Sequence, residues 1–292
     1  MYNKAQEIID ACKKNNISIY QLVLNEEMKN TKKTEDEIRS YLDQAINVMI
    51  ESAESNLNKS SQTTHKMIDG YSKLTYAYAQ NNETITGKFC TEAMAMALST
   101  SEINSSMGKI IAAPTAGSAG IIPAMLVSAK NRYGLDNFTL QNGLLTANAI
   151  GHIISKYATF AGAEGGCQAE CGSASAMASA GLLEMLDASP EQILTAASIT
   201  LINVLGLVCD PIAGLVQYPC NFRNASGVMN AFLSADLALA GAKSIVPFEE
   251  VVQAMGEVGH SLHESLRETG IGGLAGTETG QKIRKNFLNL ED

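Results

Sequence analysis

Tryptophan is absent from this sequence, and aromatic residues make up only 5% of its 292 positions. A sheet core normally draws on aromatic and β-branched residues set in period-two alternation. Both are scarce here, which argues against a β or α/β architecture and for a predominantly helical one. Charge is also sparse: Asp, Glu, Lys and Arg account for 17% of residues and sum to a net charge of -9. The lysines are scattered rather than gathered beside aromatics, so no nucleic-acid surface is expected and a small soluble substrate is the better default. The opening MYNKAQEIIDACKKNN has no basic segment leading into an apolar run and no small-residue cleavage site, which points to a cytoplasmic protein. Two uncharged stretches, IIAAPTAGSAGIIPAMLVSA and ILTAASITLINVLGLVC, approach the length of a membrane span. They carry Thr, Ser, Asn or Pro, lack basic flanks, and belong to a chain of mean hydropathy +0.01. Buried helices rich in small residues account for them better than a bilayer does.

An apolar share of 46% over this length supplies a sizeable core. The first third is polar and helical in pattern: Leu42, Ile46, Met49, Ile50 and Ala53 recur at helical spacing between Ser40 and Asn56, and Thr34 with Glu37 forms a capping-box signature ahead of them. From about Lys88 the composition turns to Ala, Gly, Ser and Met. Pro190 after Ala188-Ser189 predicts a helix start, and Gly241 predicts the end of one that contains the apolar run from Val228 to Ala240. No repeat or low-complexity linker divides the chain, which predicts one all-α domain over residues 1–292 with residues 1–87 as a polar helical lead-in.

Only eight charged residues fall between Thr139 and Ser234, so that segment must be mostly buried. Charges kept in such surroundings need partners or a function. Glu164, Glu170, Asp210 and Arg223 each lie within a few residues of a cysteine, where a polar, occupied site would retain them. Of the six cysteines, Cys12 and Cys90 sit in helical patterns and read as small buried residues. Cys167, Cys171, Cys209 and Cys220 fall instead in GAEGGCQAECGSASAMASAG and VCDPIAGLVQYPCNFRNASG, where Gly and Pro bend the backbone and allow several thiolates to converge. The spacing matches neither a zinc ribbon nor a small ferredoxin, and taken alone it leaves a metal or cluster and simple burial equally open.

Other signals are weaker. Ser106-Met-Gly-Lys109 fits S-x-x-K without the motifs that should accompany it, and reads as chance. His260 and His263 are expected on one solvated helical face. His152 is the histidine of the poorly charged segment, either a hydrogen-bonded core residue or a base. In Ala113-Pro-Thr-Ala-Gly-Ser-Ala-Gly120, the hydroxyls of Thr115 and Ser118 and the N–H groups opening the next helix suit a small carboxylate. A tight helix crossing through small residues is the alternative.

Taken in order, SEINSSMGKIIAAPTAGSAGIIPA, GAEGGCQAECGSASAMASAGL, LGLVCDPIAGLVQYPCNFRNASG and GGLAGTETG resemble the successive motifs of the alpha subunit of iron-sulfur-dependent L-serine dehydratases, over roughly residues 88–280. The resemblance implies a helical catalytic domain built around a 4Fe-4S cluster, held by Cys167, Cys209 and Cys220. It also implies that one iron lacks a protein thiolate and serves as a Lewis acid, and that no pyridoxal phosphate is used. The implied reaction converts L-serine to pyruvate and ammonia, and a separate beta subunit joins the chain in a hetero-oligomer. With that reaction in view, Thr115, Gly117, Ser118 and Gly120 are expected to hold the substrate carboxylate, with Arg223 and Asn224 as further contacts and His152 as candidate base. Two departures stand out. Some relatives carry a C-terminal cysteine able to cap the open iron, whereas this chain ends in KNFLNLED, so capping by its own tail is not expected. Cys171, one helical turn past Cys167, is close enough to compete as a ligand. Two rival readings are an iron-sulfur lyase acting on another β-substituted amino acid and a non-catalytic zinc-thiolate assembly subunit.

Overall fold

The structure is a computed structural model describing residues 2–63 and 65–288. Thirteen helices follow one another: α1 Ala5–Asn15, α2 Ile19–Thr31, α3 Glu35–Glu54, α4 Tyr71–Asn81, α5 Lys88–Ser105, α6 Ile121–Tyr133, α7 Asn137–Tyr157, α8 Gly162–Gly165, α9 Ser173–Met185, α10 Pro190–Ile202, α11 Cys220–Leu239, α12 Phe248–Ser261 and α13 Glu278–Leu288. No strand occurs among the described residues, and the fold is all-α. Among the described residues a single β-bridge, Cys209 to Arg267, departs from this and lies at the site described below.

The local signals explain the boundaries. At the start of α3, Glu37 N donates to Thr34 Oγ1 at 3.3 Å and Thr34 N donates to Glu37 Oε2 at 2.8 Å. This reciprocal cap starts the helix several residues ahead of its apolar stripe. Gln192 N donates to Ser189 Oγ at 3.3 Å, and Pro190 opens α10 without loss of a needed N–H. Past the end of α11, Gly241 turns the chain with φ +97°.

Every residue of α9 is buried, and eight of its 13 are Ala, Ser or Gly. Small side chains let its neighbours approach closely. Where α7 crosses α9, a Cβ on Gly181 would stand 2.8 Å from Gly143 O, so the two backbones meet at a distance only glycine permits. The buried apolar cluster runs from Ala5 to Met255 and includes the lead-in helices. Those helices are also held by carboxylates of the later helices. Glu249 of α12 accepts from Ala5 N at 3.0 Å, Glu184 of α9 from Tyr20 N at 3.3 Å, and Glu102 of α5 from Ser72 N at 2.9 Å. Each carboxylate meets unsatisfied N–H groups and the positive end of a helix dipole at α1, α2 and α4 respectively. Burial pushes Glu102 and Glu184 up to about 7.

Of the two apolar stretches weighed above, one opens as a loop and becomes α6, and the other is α10 followed by turns. Among the described residues no helix is long and apolar enough to cross a membrane.

Candidate active site

Three segments bring the thiols together. Cys167 precedes a π-helical turn, Gln168–Gly172, which contains Cys171 and leads directly into α9. Cys209 lies at the β-bridge, where Cys209 N donates to Leu266 O at 2.9 Å and Glu268 N donates to Cys209 O at 2.6 Å. Cys220 is the first residue of α11. All four are free and buried, exposed by no more than 5%. Cys12 is buried and Cys90 half-buried elsewhere.

The electrostatics differ among the four sulfurs. The Cys171 thiol donates to Cys167, and this bond, with the Arg223 guanidinium nearby, holds Cys167 below the ordinary thiol range despite its burial. Cys171 is correspondingly pushed far up. Burial, then the negative charge expected on Cys167, raises Cys209 and Cys220. In the protein alone Cys167 is therefore the most acidic of the four thiols and Cys171 its hydrogen-bond donor. Among the described residues, the set whose ligand atoms all lie within 4.8 Å of one another is Cys167, Glu170 and Cys171. Cys167, Cys209 and Cys220 do not form so tight a set.

Around these thiols several buried polar atoms have no partner: Ser173 Oγ, both amide atoms of Asn221, Arg223 Nη1 and Gln217 Oε1. Native interiors rarely leave such groups unpaired. Three of these side chains offer hydrogens, and a group rich in sulfur acceptors held by the thiols would satisfy them. The donor set therefore fits an iron-sulfur cluster.

Arg223 donates through Nη2 to Asp210 Oδ1 at 2.5 Å, and Asp210 Oδ2 accepts from Leu274 N at 2.7 Å. This carboxylate joins the Cys209 segment, α11 and the Gly-rich segment 270–276. Asn224 is saturated: its Nδ2 donates to Gly117 O at 2.6 Å and Cys220 O at 2.8 Å, while its Oδ1 accepts from Gly120 N at 2.9 Å. It fastens the loop before α6 to the start of α11.

The two readings of that loop divide between its glycines. A side chain on Gly120 would collide with Ala97 O of α5, so this end is a close crossing. Gly117 N and Ser118 N, both in buried residues, have no partner among the described residues. The hydroxyls are already engaged: Thr115 Oγ1 donates to Glu170 Oε1 at 2.6 Å and lies 2.9 Å from Ser118 Oγ. Since the single Thr115 proton goes to Glu170, Ser118 is the donor to Thr115. Burial raises Glu170, and the Glu268 charge adds to the effect while the Thr115 bond opposes it. Glu170 was noted in the sequence only as a charge near cysteines; its contact with a loop 55 residues earlier has no local signature.

His152 has other neighbours. It is half-buried on α7, its Nε2 lies 3.3 Å from Asn3 Oδ1, and burial followed by nearby positive charge lowers it. It lines a groove of about 590 Å³ with Tyr41, Ala113 and Phe160, a groove that includes none of the cysteines. The expectation that His260 and His263 share a helical face is corrected: α12 ends at Ser261, Leu262 is extended with ψ 135°, and His263 Nδ1 accepts instead from Ser265 N at 3.2 Å. The chain leaves the helix there to run beneath Cys209. Ser106 of the S-x-x-K match donates to Glu102 O at 2.7 Å and ends α5. The C-terminal capping question falls on residues 289–292, outside the described residues.

Buried thiols beside a polar loop, in an all-α frame, make up a candidate thiolate site. The chain belongs to the serine dehydratase alpha chain family, whose sequence model matches residues 14–275. It is 67% identical over 292 residues to the L-serine dehydratase alpha chain of Peptoniphilus asaccharolyticus, covering 100% of both chains. It is 41% identical over 288 residues to a probable L-serine dehydratase alpha chain of Bacillus subtilis, covering 99% of this chain and 96% of that one. Against the L-serine dehydratase of Mycobacterium tuberculosis it is 38% identical over 284 residues, covering 94% of this chain and 61% of the longer protein.

Proposed function

We propose that this chain is the catalytic subunit of an iron-sulfur-dependent L-serine dehydratase, a lyase that converts L-serine to pyruvate and ammonia. The observation that carries the reading is the convergence of buried thiols and unpaired buried donors beside a loop with free backbone N–H groups. Cys167, Cys209 and Cys220 would hold a 4Fe-4S cluster. A zinc site would draw on a different set: zinc binds sulfur at about 2.3 Å and so gathers its ligands to about 4 Å apart, which suits Cys167, Glu170 and Cys171 rather than Cys167, Cys209 and Cys220. When bound, a cluster with one iron free of protein thiolate supplies a Lewis acid for the departing hydroxyl. No pyridoxal phosphate is invoked.

The chain's own residues orient the substrate. Gly117 N and Ser118 N donate to its carboxylate at a loop held in place by Asn224, and Asp210 keeps the Arg223 guanidinium beside the thiols. Loss of the α proton and of hydroxide gives aminoacrylate, which hydrolyses to pyruvate and ammonia. Exposed apolar residues Phe222, Ile271 and Leu274 next to these elements support a face for a beta subunit. A longer relative of which this chain matches 61% is consistent with a second part. Nothing in the site calls for a nucleic acid or a membrane.

The test is the visible spectrum, iron and sulfide content of anaerobically prepared protein with and without a beta subunit, followed by a pyruvate assay. A brown protein with about four irons per chain, active on L-serine with its partner, is expected. A colourless, zinc-containing, inactive protein would overturn the reading. Full activity on another β-substituted amino acid with none on serine would favour the related-lyase alternative.

A further inference from the structure

Beside the thiols stands a carboxylate, Glu170, that forms no ion pair with a protein cation among the described residues. Glu170, 8% exposed, stands in the turn between Cys167 and Cys171 with its carboxylate laid against the backbone of Gly117. A Cβ there would come within 2.5 Å of Oε1 and 2.9 Å of Oε2, so only glycine lets the carboxylate occupy this place. Oε1 takes the Thr115 proton. Oε2 has no partner among the described residues and is not fully buried. The nearby cation, Arg223, spends its Nη2 on Asp210, and Glu268 adds a second carboxylate.

An α-amino acid carries its ammonium and carboxylate on one carbon, so a site that selects it must set an acceptor beside donors. Such a juxtaposition is present: the free N–H groups of Gly117 and Ser118 adjoin a carboxylate that packs on Gly117 itself. We propose that Glu170 receives the α-ammonium of the substrate through Oε2, and so determines selection of an amino acid over a hydroxy acid of the same shape. The Ser118 to Thr115 to Glu170 chain fixes the carboxylate so that Oε2 faces the open side. This inference rests on the dehydratase reading above.

The test compares wild type with Glu170→Gln in the cluster-loaded holoenzyme with its beta subunit. It measures KM for L-serine, competitive inhibition by β-hydroxypropionate, which keeps the carboxylate and hydroxyl but lacks the ammonium, and iron content. The expected result is a rise of at least tenfold in KM, inhibition by β-hydroxypropionate changed less than twofold, and iron unchanged. Glu170→Asp, which keeps the charge on a shorter arm, should fall between the two, and it carries the comparison if the Gln variant does not fold. Equal loss for both ligands would overturn the proposal and leave Glu170 as a prop for the loop. Loss of iron would overturn it in favour of a cluster ligand. If wild-type holoenzyme did not turn over serine, the dehydratase reading would fail before any variant was compared.

Discussion

Arg223 donates to Asp210 at 2.5 Å from within α11, and its second terminal nitrogen is buried with no partner. The pair is largely removed from water, with side-chain exposures of 14% and 4%. Removing one partner leaves an uncompensated buried charge. Arg223→Ala should therefore cost roughly 3–5 kcal/mol, measured by denaturant unfolding of the protein without its cofactor. Adding Asp210→Asn to that variant should recover part of the loss. Additive losses would show that the pair is not coupled.

The hydrogen bond from Cys171 to Cys167 gives the two neighbouring cysteines different fates. Cys167→Ser, Cys209→Ser and Cys220→Ser are each expected to abolish iron binding, whereas Cys171→Ser, which keeps a donor, should retain most of it. Iron and sulfide analysis after anaerobic reconstitution decides. Full iron content in Cys167→Ser with loss in Cys171→Ser would reverse the assignment.

His152 lines a groove that takes in no cysteine. His152→Gln should accordingly keep turnover within about threefold of wild type, with the beta subunit present. A loss of about a hundredfold, the scale of a missing general base, would place the proton acceptor on α7.

Glu102 and Glu184 carry a pH dependence. Both have folded values of about 7, above the ordinary 4.5 of an unfolded glutamate, because burial opposes their charge. A raised folded value means that the stabilisation is complete below pH 4.5 and is lost as pH rises through 7, with up to roughly 3 kcal/mol at stake for each group. Glu102→Gln and Glu184→Gln should each flatten the fall in Tm between pH 5 and pH 8. An unchanged slope would mean that these carboxylates titrate as ordinary ones.

What the sequence disclosed about this fold was what short stretches of chain decide. Thr34 with Glu37, and Ser189 with Pro190, mark helix starts because a cap closes within three residues. The all-α class follows from the scarcity of alternation, and the ordered motifs pointed to the thiols. Hidden were the partnerships that depend on tertiary approach: Glu102, Glu184 and Glu249 capping helices far away in sequence, and Glu170 against Gly117. Cys171 was expected a regular helical turn beyond Cys167, but the turn between them is π-helical, a wider coil with no clear compositional mark. The histidine pair failed for a related reason: spacing shows two residues in register only while the helix continues, and the chain leaves α12 at Leu262 to pair Leu266 with Cys209.

The β-bridge at Cys209, together with the bond from Leu274 N to Asp210, sets an order on the life of the polypeptide. During synthesis the segments bearing Cys167, Cys209 and Cys220 emerge well before residues 266–274, which hold the middle one in register. Synthesis must therefore pass residue 274 before the Cys209 segment has its final setting. A cofactor held by these thiols, as proposed above, would meet a chain already extended past residue 274.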